Sequence, residues 1–207
     1  MRVTILPLLL VLAAAGCEPG PGEGAGAPPN GELPTRTRDV PVNKAVDEVR
    51  VSWPDRATID APVLASLPAE ARALVERSRV PVLVPRASGL TAAAKLVVRP
   101  AFTAVSINGQ GEHAGVNVSV SATRVAHRYQ GTPEARGPER VRGDKATFIT
   151  QNEGIWSATW RENGLSYVVE VECARPSEDA RCRDDAFLRT ILEDLVFVGG
   201  SYEGGAP

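Results

Sequence analysis

Of the groups able to do covalent or proton-transfer chemistry, the chain holds two histidines and three cysteines beside 25 acids. His113 lies in Gly109-Gln110-Gly111-Glu112-His113-Ala114-Gly115. That run superficially has the spacing of a dinucleotide fingerprint, but its third glycine is one place late and no helix pattern follows, so a hairpin turn accounts for it better. His127 alternates with Val125 and Tyr129 and reads as a sheet residue rather than a ligand. The sequence offers no His-x-x-x-His pair for zinc and no G-x-S-x-G nucleophile turn. Eight residues separate Cys173 from Cys182, which is neither a C-x-x-C redox motif nor half of a recognisable zinc site. Among the acids, Glu170 and Glu172 share a strand face, while Glu178, Asp179, Asp184 and Asp185 cluster nearby in sequence. Two such carboxylates could act as acid and base on a glycan. A solvated sheet face, a polar loop and a helix cap account for them without further assumption. No catalytic, cofactor-binding or metal-ligating set is assigned.

The element that must position these groups runs from Phe148 to Phe197 and contains six of the ten aromatic residues: Phe148, Trp156, Trp160, Tyr167, Phe187 and Phe197. The core is expected here. Asn163-Gly164 tolerates φ > 0 at both positions, as a two-residue type I′ turn requires, and so sets a hairpin register. Counting outward pairs Trp160 with Tyr167, Ala158 with Val169 and Trp156 with Val171 on one buried face. Thr159, Ser157, Val168 and Glu170 occupy the wetter face. Asp184-Asp185 marks a helix start, and Phe187, Leu188, Ile191, Leu192 and Leu195 follow at helical spacing, facing the sheet.

The chain has 207 residues and a formal net charge of −2, a balance that does not suggest a nucleic-acid partner, which normally demands a basic surface. Met1-Arg2 supplies a short positive end. Val3 to Ala15 is an apolar run too short to span a bilayer comfortably, and it ends in small residues, so residues 1–16 read as a signal peptide. Ala14-Ala15-Gly16-Cys17 resembles the lipobox of bacterial lipoproteins. That resemblance implies that the Cys17 sulfur receives a diacylglyceryl group and that Cys17 becomes the mature N-terminus, anchored by several acyl chains. Glu18 rather than Asp at the next position implies, by the same resemblance, an outer-membrane address in the bacterial cell envelope. With Cys17 taken by lipid in an oxidising compartment, Cys173 and Cys182 remain as an even pair and are expected to be bridged.

Ten of the seventeen residues at 18–34 are Gly or Pro, a composition that cannot repay the entropy of ordering. With Cys17 they form a tether of about 20–25 Å root-mean-square span. A single α+β domain is expected over residues 35–207, with its core at 79–200: a curved antiparallel meander with one or two helices on one face. In order, Val49, Val51 and Trp53 predict a short strand before Pro54. A helix is predicted from Leu67 to Ser78, with Ser66 as its cap, Pro68 in its first turn, and Leu74 and Val75 facing inward. Arg79 to Pro85 predicts an apolar strand. Two strands are expected around Pro100, carrying Leu96, Val97 and Val98, then Phe102, Ala104 and Ser106. Val116, Val118 and Val120 alternate with polar residues, and Val125, His127 and Tyr129 continue the rhythm, as half-buried antiparallel strands do. Residues 131–140 predict an exposed loop, Val141 to Thr150 a strand leading into the hairpin, and Val196 to Val198 a last edge strand.

Val80-Pro81-Val82-Leu83-Val84-Pro85, Val141-Arg142-Gly143, Trp160…Gly164…Tyr167 and a closing helix ending at Leu195 together resemble bacterial extracytoplasmic domains of unknown function, found in lipoproteins and on the outer side of membrane-bound regulators. The resemblance implies a curved antiparallel sheet with helices on one side and carries over no functional residue. Two functional classes follow. One is a non-enzymatic envelope domain that binds or senses a protein, lipid or glycan, or serves structurally. The other is a small hydrolase using paired carboxylates. They part on geometry: convergent carboxylates in a concave pocket for the enzyme, an exposed apolar patch or open groove for the binder. A lipid carrier would need an apolar cavity between sheet and helices.

Overall fold

The computed structural model describes residues 44–129, 131 and 133–202. The expected signal peptide, Cys17, the tether and residues 35–43 lie outside the described residues. In chain order the elements are β1 (Lys44–Glu48), α1 (Ala61–Ser66), α2 (Ala69–Arg77), β2 (Val82–Pro85), α3 (Ser88–Thr91), β3 (Ala94–Arg99) and β4 (Phe102–Asn108). There follow β5 (Val116–Thr123), β6 (Val125–Tyr129), β7 (Glu139–Val141), β8 (Lys145–Asn152), β9 (Ile155–Glu162), β10 (Leu165–Cys173), α4 (Ala186–Asp194) and β11 (Leu195–Gly199).

The fold is α+β and antiparallel throughout. Its main sheet has seven strands in the order β3-β4-β5-β10-β9-β8-β7, and two ribbons, β1 with β6 and β11 with β2, complete it. The expected hairpin is present in the expected register: Trp160 faces Tyr167, Ala158 faces Val169 and Trp156 faces Val171. Asn163 and Gly164 both have positive φ, 56° and 78°. The Trp160 and Tyr167 rings stack with centroids 5.3 Å apart, and the Tyr167 hydroxyl donates to the Pro81 carbonyl at 3.2 Å. That bond ties the sheet to the segment entering β2. On α4, Leu188, Ile191 and Leu192 are buried, so the space between helix and sheet is filled by side chains. Asp184, not Asp185, accepts from the first turn, at the Ala186 amide 3.0 Å away. Asp185 instead holds Arg189 one turn on.

Several expectations are corrected. Val49 to Trp53 is not a strand. β1 ends at Glu48, and the next residues run as a strap whose Val49 amide bonds to Arg124 and whose Ser52 amide bonds to Asn163. Their side chains pack partly against the core. The helix predicted from Leu67 to Ser78 is present as α2, starting two residues later and ending one earlier, and a further helix, α1, precedes it. A residue before proline is pushed out of helical conformation; Leu67 at ψ 149° breaks the chain there, and Ser66 closes α1 by donating to the Val63 carbonyl. The single strand expected from Val141 to Thr150 is folded at Arg142-Gly143-Asp144, all three with positive φ. On β4 the buried set is Thr103, Val105 and Ile107, so Phe102, Ala104 and Ser106 lie on the opposite face. Phe148 is also outside, at 39% exposure, because the register puts Thr147 opposite Trp160. His127 and Tyr129 lie on β6, which pairs with β1 rather than with the main sheet, and both are exposed. β11 forms as expected and pairs with β2. No helix among the described residues is long and apolar enough to cross a membrane.

Candidate functional site: the groove on the outer face of the sheet

The main sheet has one face against α4 and the core, and many of the side chains along the middle of its other face are short. Across it, Phe148, Thr159, Val168, Ser121, Ala104 and Val97 stand in one row, hydroxyls and small groups between apolar ends. The β6 ribbon and residues 133–137 border this face and enclose with it an open groove of about 850 Å³. Gly137 makes this approach possible, since a Cβ there would lie 1.9 Å from the Thr147 backbone. The groove is walled by Tyr129, Phe148, Ala126 and Pro133, with Arg128, Arg136 and Arg161 at its polar positions. Arg161 pairs with Glu134, and Arg128 with Asp47 at 3.3 Å. Arg136 has no ion-pair partner among the described residues. Three guanidinium groups thus line the groove beside one carboxylate, in a chain whose overall charge is −2.

A second concavity, of about 450 Å³, lies beside the β11–β2 ribbon and contains two carboxylates, Asp60 and Glu162. Both are already engaged. Asp60 caps α1 through the Val63 amide and pairs with Arg86 at 3.3 Å. Glu162 receives Arg142 at 2.9 Å and the Trp160 indole N–H at 2.9 Å. Burial alone would raise its carboxyl pKa, but the hydrogen bonds from Arg142 and Trp160 outweigh it and hold the group below its usual range. A general acid needs the opposite shift. The same Arg142 donates to the Leu192 and Leu195 carbonyls, both at 2.9 Å, and so fastens the end of α4 to the sheet. This arrangement is structural.

The sequence-weighed acids do not converge. Glu170 accepts from Ser119 on the outer sheet face, Glu178 pairs with Arg175, and Asp185 pairs with Arg189. Asp179 is gripped by Arg181, whose hydrogen bonds bring its pKa to about 2. None of them borders the concavities described. Among the described residues no group of three or more His, Cys, Asp and Glu could hold a metal ion. His113 sits in the 3-10 turn joining β4 to β5, with its ring 6.0 Å from Phe187. Cys173 and Cys182 lie at disulfide distance with Cα atoms 6.2 Å apart, joining the end of β10 to the turn before α4. The groove residues Arg136, Tyr129 and Phe148 were not singled out as a site by sequence. The available signal was a charged Gly/Pro-rich stretch between two strands, which says that a loop exists and not where it packs. Compared with protein-family models, curated proteins and solved structures, the chain has no match.

Proposed function

We propose that this chain is a bacterial cell-envelope lipoprotein, anchored through acyl chains on Cys17 and addressed to the outer membrane, whose folded domain binds an anionic ligand without performing chemistry on it. The observation that carries the binding assignment is the outer groove. It is open, partly apolar, and holds more positive than negative charge, the features of a recognition surface rather than of an acid–base site. The filled layer beneath α4 gives a lipid-carrier reading no support, and the ion-paired Asp60 and Glu162 give a hydrolase reading none. The anchor rests on the sequence from Met1-Arg2 to Cys17, and the cysteine pair at bonding distance fits an oxidising compartment.

Two measurements test this. Cys17→Ser should move the protein from the membrane to the soluble fraction, and unchanged fractionation would contradict the anchor. A photo-crosslinking residue in place of Phe148 should give a discrete adduct in intact cells, whereas one in place of Glu178, away from the groove, should not. Equal labelling from both positions would contradict the groove assignment.

A further inference from the structure

Among the described residues the seven-stranded sheet ends at β3, with no strand paired to its outer edge. The hydrogen bonds Gly109 N–H to Val116 and Arg124 N–H to Ala101 fix which β4 residues bond to β5: the odd-numbered ones. The even-numbered residues of β4 therefore bond to Lys95, Val97 and Arg99. This leaves the backbone N–H and C=O groups of Leu96 and Val98 directed off the open part of the edge, while Ala94, which has the same orientation, is already covered at 2% exposure. Among the described residues, no backbone hydrogen bond outside the β4 ladder involves β3, and the Val98 carbonyl is met only by the side chain of Arg99, at 3.0 Å. Alongside runs a groove of about 530 Å³ between this edge and α2, bordered by Ala71, Leu74, Ala93, Ala94 and Leu96, with Glu70 on the helix side.

The outward side chains of β3 are Lys95, Val97 and Arg99, all exposed, with Val97 at 48%. Neither cation has an ion-pair partner among the described residues. Phe102, at 36% exposure, stands opposite Arg99 and widens the apolar part of this surface. A basic–apolar–basic row repels a second copy of itself, since antiparallel pairing about Val97 sets Lys95 against Arg99. It complements a strand in which an apolar residue is flanked, two positions away on each side, by acids.

We propose that β3 is a docking edge for an extended acidic polypeptide segment, which adds antiparallel as an eighth strand with acids opposite Lys95 and Arg99 and its alternate side chains toward Leu74 of α2. Strand addition takes affinity from the main-chain bonds of Leu96 and Val98 and specificity from the charged row. Residues opposite Lys95, Val97 and Arg99 form non-hydrogen-bonded pairs, in which side chains approach most closely. The α2 wall carries Glu70, so the acids belong on the outer row and small or apolar groups on the inner one.

The test uses the synthetic peptide Thr-Glu-Thr-Val-Thr-Glu-Thr, capped at both ends, and its counterpart with Lys for Glu, titrated into the full-length protein by fluorescence anisotropy. The native protein should prefer the Glu peptide by roughly tenfold or more, and Lys95→Glu with Arg99→Glu should reverse the preference. Val98→Pro removes an outward N–H while sparing the β4 ladder, and should abolish binding of both peptides with the melting transition retained. Should that variant not fold, the charge reversal, confined to exposed side chains, decides. Equal affinity for the two peptides, no binding of either, or an unreversed preference overturns the proposal. Arg136→Glu in the outer groove should leave peptide binding unchanged, so failure here is distinguishable from failure of the groove assignment.

Discussion

The inner and outer faces of the seven-stranded sheet are made by the same strands in alternation, yet they are built very differently. Inward stand Trp160, Tyr167, Val169, Val171, Val118 and Ile107, each no more than 2% exposed. Outward stand Ser106, Ser119, Ser121, Ser157 and Thr159, with Phe148 and Val97 toward the edges. The inner residues are large and interlock, so their identities set the register. Most of these outer residues are short, so a loop and a ribbon can border a groove there without the sheet having to give way. The buried contacts are concentrated on the inner side, and the proposed recognition falls on the outer one.

That contrast is broken most severely from the inside. Trp160→Ala should cost about 3–5 kcal/mol, read by chemical denaturation, because it removes the stacked partner of Tyr167 and a donor to Glu162. Replacing Cys173 and Cys182 together by Ser should cost about 2.7 kcal/mol in the chain-entropy model, for a closed loop of about ten residues. Alkylation without reductant should find neither thiol free, and modified cysteines would defeat that reading. Arg142→Met should cost about 2 kcal/mol, below the range for a fully buried pair because Arg142 and Glu162 keep 12% and 19% side-chain exposure. The same pair sets an acid limb. The folded-state pKa of Glu162 lies below 4.5, so its contribution is complete above that pH and lost as pH falls through the folded value. Glu162→Gln should flatten this part of the pH–stability curve. On the outside, Thr159→Ala should shift stability by only about 0.5 kcal/mol or less.

The hairpin was legible because its turn and its alternation agree: Asn163-Gly164 demands one register, and Trp160, Tyr167 and Val169 then fall on one face. α4 was legible for the same reason, its buried residues spaced by helical turns between an acidic start and β11. Where pattern alone spoke, it misled. Phe148 is the more apolar residue, but Thr147 takes the inner position because β8 is registered against β9. On β4 both parities look equally apolar, and the β5 ladder decides between them. The groove lay beyond the sequence's reach because it depends on how residues 125–137 lie against a sheet built from distant segments. Nor does the sequence place the β3 edge. A strand's end position in a sheet is a property of strand order, which Lys95 and Arg99 hint at only through the charges that exposed edges commonly carry.

The most direct test of the division between the faces is capture from within the groove in a variant that leaves the core alone. With a photo-crosslinking residue at Phe148 and Arg136→Glu added, the account predicts an unchanged unfolding midpoint and loss of the cellular adduct. An adduct that persists undiminished in that background would show that the outer face does not recognise an anionic ligand.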